Sequence, residues 1–212
     1  MQTTVKVKIC GITNYEDAQA AVDLRADILG FNFYPPSPRY IAPKKALQII
    51  TKLPAHVDIA GVFVNAKEHD IYELASSGLI NWAQLHGDET PEFCNELKSW
   101  NLRTIKAIRV KDAQAVKEAE KYHTSALLFD AFNPKLYGGT GETFDWTLVK
   151  NCPQRIFLAG GLSPDNIQQA LEQDVYGVDV CSGIESSPGK KDIRKMKKLF
   201  ENIHNFLGTK VK

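Results

Sequence analysis

Two residues in this sequence stand where proton transfer could be done, each closing a short run rich in β-branched or apolar residues. Cys10 ends the run 5–10 ahead of Gly11-Ile12-Thr13, and Asp130 ends 126–130 ahead of Ala131-Phe132-Asn133-Pro134. A cysteine is commonly a small buried hydrophobe. With a pKa of about 8.5, an unperturbed thiol is only roughly 3% ionised at neutral pH. A base role therefore asks for a cation beside it. Lys8 lies two positions earlier, and strand alternation puts Lys6, Lys8 and Cys10 on one face with Val5, Val7 and Ile9 on the other. Asp179 faces the same way as Cys181 in the run 177–181, so Lys8 is equally expected to be neutralised by it. Asp130 reads either as a helix cap or, at an inward-facing rim, as an acid or base. Acting as an acid near neutrality requires raising the carboxyl's usual value of about 3.9 by burial or by a nearby anion.

Other residues suit an anionic ligand. Gly160-Gly161 follows the run 156–159, and Ser182-Gly183 follows 177–181. Glycines let backbone N–H groups approach a phosphate. Gly138-Gly139-Thr140-Gly141 reads as a further phosphate loop, a lid or a plain flexible loop. Arg39, in Ser37-Pro38-Arg39-Tyr40, is either a surface arginine or a bidentate ligand for a carboxylate. His86 shares a face with Gln84 and either orients a substrate or satisfies a polar interior.

The elements that must position these residues alternate regularly. Strand-like runs occur at 5–10, 28–34, 57–64, 82–86, 104–110, 126–130, 156–159 and 177–181. Helical patterns lie between and after them at 16–24, 44–52, 68–76, 91–100, 112–121, 164–172 and 192–206, with a weaker one at 144–150. Thr90-Pro91 and Ser163-Pro164 each place an N-cap before an N1 proline. Strands alternating with helices pair in parallel through right-handed crossovers. Eight such units in 212 residues predict one α/β domain, 1–212, folded as a (β/α)8 TIM barrel. The sequence has no GxGxxG after its first strand, which argues against an open doubly wound sheet. In a barrel the active site lies at the C-terminal ends of the strands, where Cys10, His86, Asp130, Gly160 and Ser182 all fall.

Composition narrows the function classes. Lys plus Arg number 26 against 25 for Asp plus Glu, a net charge of +1 that argues against broad nucleic-acid or membrane binding. The basic stretch 190–198 reads as a solvated helix face. No signal peptide and no apolar run of transmembrane length is evident, which predicts a cytoplasmic protein with reduced thiols. The four cysteines form no CxxC pair, so no zinc site is expected. Cys10 and Cys181 close neighbouring strands and are an expected pair for oxidation, which needs their Cα atoms within about 7 Å.

Taken together, KICGIT (8–13), GFNFYPPSPRYI (30–41), GVFVN (61–65), QLHGDE (84–89), GGTGETFDW (138–146), LAGGLSPDN (158–166) and GVDVCSGIESSPGKKD (177–192) closely resemble the phosphoribosylanthranilate isomerases, in order and over nearly the whole chain. The resemblance implies an Amadori rearrangement of N-(5-phosphoribosyl)anthranilate to 1-(2-carboxyphenylamino)-1-deoxy-D-ribulose 5-phosphate, in tryptophan biosynthesis. It implies Asp130 as general acid and Cys10 as general base. Arg39 would hold the anthranilate carboxylate and His86 would contact the substrate. Gly160, Gly161, Ser182 and Gly183 would hold the phosphate. No cofactor or metal is implied, the partner is the small-molecule substrate, and the chain is expected as a monomer or homodimer. Cys181 departs from the pattern, occupying a position the family often fills with serine or another small residue. A metal-dependent ribulose-phosphate epimerase would want ligands that the five histidines do not supply. A non-catalytic phosphosugar-binding barrel would leave Cys10 and Asp130 idle.

Overall fold

The computed structural model describes residues 4–132, 138, 141, 143–150 and 152–210. Eight parallel strands close into a barrel in chain order: β1 (Lys6–Cys10), β2 (Ile28–Asn32), β3 (Asp58–Phe63), β4 (Trp82–Leu85), β5 (Arg103–Val110), β6 (Ala126–Ala131), β7 (Ile156–Leu158) and β8 (Gly177–Val180). Closure is made by β1 against β8, with Lys8 opposite Asp179 and Ile9 opposite Val180. The predicted eightfold rhythm and the TIM barrel are what the chain adopts.

Alternation along the strands builds two layers. Ile28, Trp82, Ile105, Leu128 and Phe157 pack inside the barrel, with Trp82 and Phe157 edge to face at 6.4 Å. Their neighbours of opposite parity, such as Ile9, Leu29, Leu85, Leu127 and Val178, are fully buried beneath the helices. Each large apolar side chain so buried contributes about 1.5–3 kcal/mol. Above the inner apolar layer lies a polar one toward the strand ends, holding Lys8, Gln84 and Asp179, all buried.

The helices are α1 (Tyr15–Asp23), α2 (Pro43–Ile50), α3 (Glu68–Ser76), α4 (Pro91–Glu96), α5 (Ala113–Glu118), α6 (Ile167–Leu171) and α7 (Ile193–Lys210). Thr90 caps α4 by accepting from the Phe93 N–H, with Pro91 in the first turn as expected. The spans expected at 91–100 and 112–121 end sooner as α-helix and tighten into 3-10 turns at Leu97–Trp100 and Ala119–Lys121, a usual way to finish a helix. Asp112 is a cap, accepting from Ala115, and not a helical residue. The span expected at 164–172 begins only at Ile167. Its cause is Asn166, whose side chain accepts from the Ser163 N–H at 2.8 Å and donates to the Gly161 carbonyl at 2.9 Å. Residues 164–166 are thereby held as a turn, and Ser163-Pro164 starts that turn instead of the helix. The weak pattern at 144–150 is a single 3-10 turn, Trp146–Val149, capped by Asp145.

One element has no counterpart in the sequence reading. After β8, a 3-10 turn (Ser182–Ile184) leads into an antiparallel hairpin of β9 (Glu185–Ser187) and β10 (Lys190–Lys191). Pro188 and Gly189, with φ +80° at the glycine, form its turn, the residue pattern of a type II turn. Among the described residues no helix is long and apolar enough to cross a membrane.

Candidate active site

A cavity opens at the C-terminal end of the barrel. Cys10, Arg39, His86, Asp130, Gly160, Gly161 and Ser182 all line it. Gly183, the remaining residue expected there, packs behind it against the Leu162 carbonyl and joins the loop after β7 to the loop after β8. Of the glycine-rich loop after β6, Gly138 and Gly141 line the cavity. Gly139 and Thr140, like Asn133 and Pro134, lie outside the described residues.

Cys10 ends β1 beside Gly30 of β2, its partner in register. A Cβ on residue 30 would stand 2.8 Å from the Cys10 sulfur and 3.0 Å from the Lys8 Nζ, so glycine is what lets thiol and ammonium share this space. Lys8 is fully buried and donates to Asp179 at 2.9 Å. Burial works against its charge, but Asp179 and Cys10 on either side hold its pKa above the usual lysine range. The Cys10 thiol is held well below its ordinary value by a hydrogen bond from the Cys181 thiol, then by the charges of Lys8 and Lys191, against the cost of burial. Cys181 is pushed up correspondingly, because its proton is the one shared with Cys10, and burial adds to the shift. Both are free cysteines, and the Cys181 Sγ also lies 3.9 Å from Glu185 Oε1. Burial pushes Asp179 up to about 7, with Lys8 opposing and Cys10 and Asp130 adding repulsion. One ammonium thus serves two groups, the depressed Cys10 thiol and the raised Asp179 carboxyl.

Across the cavity Asp130 stands one residue before the end of β6. Its Oδ1 accepts from the Ala131 N–H at 2.9 Å, and its Oδ2 lies 3.3 Å from His86 Nε2. The Gln84 amide nitrogen lies 2.9 Å from His86 Nδ1, and Nε2 is the imidazole nitrogen on the Asp130 side. A Cβ at Gly138 would lie 2.9 Å from Asp130 Oδ2 and 3.0 Å from His86 Nε2, so this glycine backbone covers the pair closely. The loop carrying His86 is fixed from behind by Lys106, which donates to the carbonyls of Leu85 and Gly87 and to Glu89 at 2.8 Å. That buried pair formed no part of the sequence reading.

Arg39 is presented by the loop after β2, which folds back on its own strand. The Ile41 N–H donates to the Asn32 carbonyl, and the Arg39 N–H donates to the Ser37 hydroxyl. Arg39 is buried, not a loose surface arginine. Glu185 of β9 takes its Nε at 3.0 and 3.1 Å and its Nη2 at 2.7 Å. Lys191 of β10 reaches the same carboxylate at 3.0 Å and the Cys181 carbonyl at 3.3 Å. Glu185 is not singled out by sequence, and Lys191, read there as part of a solvated helix face, is instead buried in a strand ahead of α7. The available signal was Pro188-Gly189, a hairpin turn that brings an acid and a lysine back over the strand ends.

A depressed thiol on one wall, a carboxyl on another, a buried arginine and two glycine-bearing loops suit an anionic substrate that exchanges protons with the protein. Residues 7–202 match the family model described as N-(5'phosphoribosyl)anthranilate (PRA) isomerase. The chain is 44% identical over 207 residues to an N-(5'-phosphoribosyl)anthranilate isomerase of Trichlorobacter lovleyi, covering 96% of this chain and all of that one. The solved phosphoribosyl anthranilate isomerase of Thermotoga maritima superposes with a TM-score of 0.89 at 39% identity, covering 95% of this chain and 100% of that one. A phosphoribosyl anthranilate isomerase solved with reduced 1-(o-carboxyphenylamino)-1-deoxyribulose 5-phosphate has a TM-score of 0.86 at 38% identity, with coverage of 95% and 100%.

Proposed function

The chain belongs to the N-(5'-phosphoribosyl)anthranilate isomerase family, enzymes of tryptophan biosynthesis, and from that membership we propose that Asp130 and Cys10 are the acid and base of its Amadori rearrangement. Asp130 gives its proton to the ring oxygen of the aminosugar, the bond from that oxygen to C1′ breaks, and an iminium forms at C1′. The Cys10 thiolate takes the C2′ proton, and the electrons of that bond move into the iminium to give an enolamine. Tautomerisation to the ketone carries a proton from the C2′ hydroxyl to C1′. The substrate nitrogen is the electron sink. Transfer of the Cys10 proton back to Asp130 closes the cycle.

Arg39 holds the anthranilate carboxylate, while Gly160, Gly161, Ser182 and the backbone around Gly183 hold the phosphate. Fixing both ends sets the sugar between acid and base. His86 contacts the sugar or Asp130 through Nε2. The reading is carried above all by Cys10, a buried thiol held well below its usual pKa inside the cavity that also holds Asp130 and Arg39. All of these residues come from one chain, so the mechanism serves a monomer or homodimer alike. We also read 1–212 as one domain acting in the cytoplasm.

The test is turnover of freshly generated phosphoribosylanthranilate, followed by loss of its fluorescence, for the wild type and for Cys10→Ser and Asp130→Asn. Each substitution should lower kcat by about 10²- to 10⁴-fold, the usual contribution of a positioned acid or base. Near-wild-type kcat in either variant would remove that residue from its role.

A further inference from the structure

The hairpin after β8 holds a buried three-charge cluster that the acid–base mechanism does not use. Arg39, Glu185 and Lys191 are 8%, 7% and 3% exposed. Glu185 occupies one edge of the guanidinium, Nε and Nη2. A guanidinium has five N–H donors in a fixed planar fork. With Nε and one Nη2 hydrogen engaged, the edge formed by Nη1 and the second Nη2 hydrogen is left, and among the described residues no acceptor is bonded to Nη1. That edge matches a second carboxylate. The arginine stem is steered as well, since a Cβ at Gly11 would stand 2.8 Å from Arg39 Cδ and 2.9 Å from Cys181 Sγ.

Charge decides what such an edge can hold. An Arg39–Glu185 pair alone is neutral and would attract a carboxylate weakly. Lys191 Nζ, 3.0 Å from Glu185, brings the cluster to a net single positive charge in a buried setting where charges are poorly screened. Burial resists the ionisation of Glu185, yet the hydrogen bond from Arg39 and the charge of Lys191 hold its pKa below the usual range, so the anion persists. The hairpin is itself anchored: the Gly189 N–H donates to Glu185, and the Lys191 N–H donates to Asp17 of α1 at 2.7 Å.

We propose that Glu185 and Lys191 are positioning residues for Arg39, Glu185 turning its free edge to the substrate carboxylate and Lys191 restoring the charge that makes the edge selective for one. The inference rests on the reading of Arg39 as the carboxylate ligand. It predicts that the hairpin sets the preference for an aromatic amine bearing an ortho-carboxylate over one without it.

Steady-state kinetics on phosphoribosylanthranilate and on phosphoribosylaniline, made from aniline and ribose 5-phosphate, provide the test. The variants are Glu185→Gln, Lys191→Met, Arg39→Met and Arg39→Met with Glu185→Gln. Both hairpin variants should raise KM for the carboxylated substrate about tenfold, mid-range for directly coupled neighbours. The kcat of Glu185→Gln should stay near wild type, whereas Lys191→Met also withdraws a charge that supports the Cys10 thiolate and should lower kcat as well; in both, the preference over the aniline compound should shrink. Glu185→Gln is discriminating because its added positive charge alone would lower KM, so a rise reports lost aim. In the Arg39→Met background, Glu185→Gln should change nothing further. A KM that is unchanged or lower in Glu185→Gln, or an effect that persists without Arg39, overturns the proposal while leaving Arg39 in its role. An Arg39→Met enzyme with unaltered KM would instead overturn the reading of Arg39 itself. If Glu185→Gln folds poorly, Lys191→Met carries the same comparison.

Discussion

Lys8 and Asp179 face each other across the seam where β1 closes on β8, ammonium to carboxylate at 2.9 Å, with neither exposed to more than a trace of solvent. Their strand register puts Cys10 and Cys181 one step further toward the rim. The barrel seam is therefore also the electrostatic support of the Cys10 thiolate. Removing either charge should act on folding and on catalysis by different amounts.

For folding, Lys8→Met strands a buried carboxylate and should cost about 3–5 kcal/mol near pH 8. Adding Asp179→Asn removes the stranded charge and should recover most of that loss. Activity should return in neither, because Cys10 has lost its neighbouring cation. Urea unfolding of the two variants beside fluorescence-detected turnover separates these effects. A double variant as unstable as Lys8→Met would show that packing, not charge, is what Lys8 supplies.

The same pair makes stability depend on pH in a stated direction. Asp179 is pushed up to about 7 from an ordinary 3.8, so between those values the folded state binds a proton that the unfolded chain does not. This contribution is complete below the lower value and is lost as pH rises through the upper one. Relative to Asp179→Asn, the wild type should thus lose stability on going from about pH 5 to about pH 8. Denaturation midpoints of the two proteins at both pH values give the difference. A wild type that gains on Asp179→Asn over that interval would mean that Lys8 holds Asp179 below its usual value.

Cys181 should tune the base through its hydrogen bond. Cys181→Ala removes the leading cause of the low Cys10 pKa, leaving Lys8 and Lys191 as supports. The acidic limb of kcat/KM should shift to higher pH, and so should the pH at which iodoacetamide alkylates residue 10. Cys181→Ser keeps a donor and should restore most of the shift. A purely packing role for Cys181 predicts equal alkylation profiles for wild type, serine and alanine.

The barrel was legible because its signals are local. Alternation in runs such as 5–10 and caps such as Thr90-Pro91 act within a few residues. Ser163-Pro164 misled for the opposite reason, since Asn166 folds back on Gly161 and replaces the first helical turn. Strand-end residues were equally legible, because strand direction alone places Cys10, His86 and Asp130 at one rim. Glu185 was not. It meets Arg39 from 146 residues away, through a hairpin that crosses from the last strand to the loop after the second. Lys106 escaped notice because a lysine in a strand looks solvent-facing, whereas here two carbonyls and Glu89 bury it.

The loops after β7 and β8, proposed to hold the phosphate, meet at Gly183. Gly183 lies against the Leu162 carbonyl so closely that a Cβ would overlap it, and a backbone atom cannot swing aside as a flexible side chain can. Gly183→Ala must therefore push the loop after β8 away from the loop after β7, parting Ser182 from Gly160 and Gly161. Overpacking of this kind costs about 1–3 kcal/mol. More tellingly, inorganic phosphate should become a weaker competitive inhibitor and KM should rise, with kcat falling less. Gly208→Ala is the control. It sits in α7 with open space around it, so alanine there should be neutral or add about 0.4–1 kcal/mol by restricting the unfolded chain. Undiminished phosphate inhibition in a destabilised Gly183→Ala enzyme would mean that Gly183 matters to folding and the phosphate is held elsewhere.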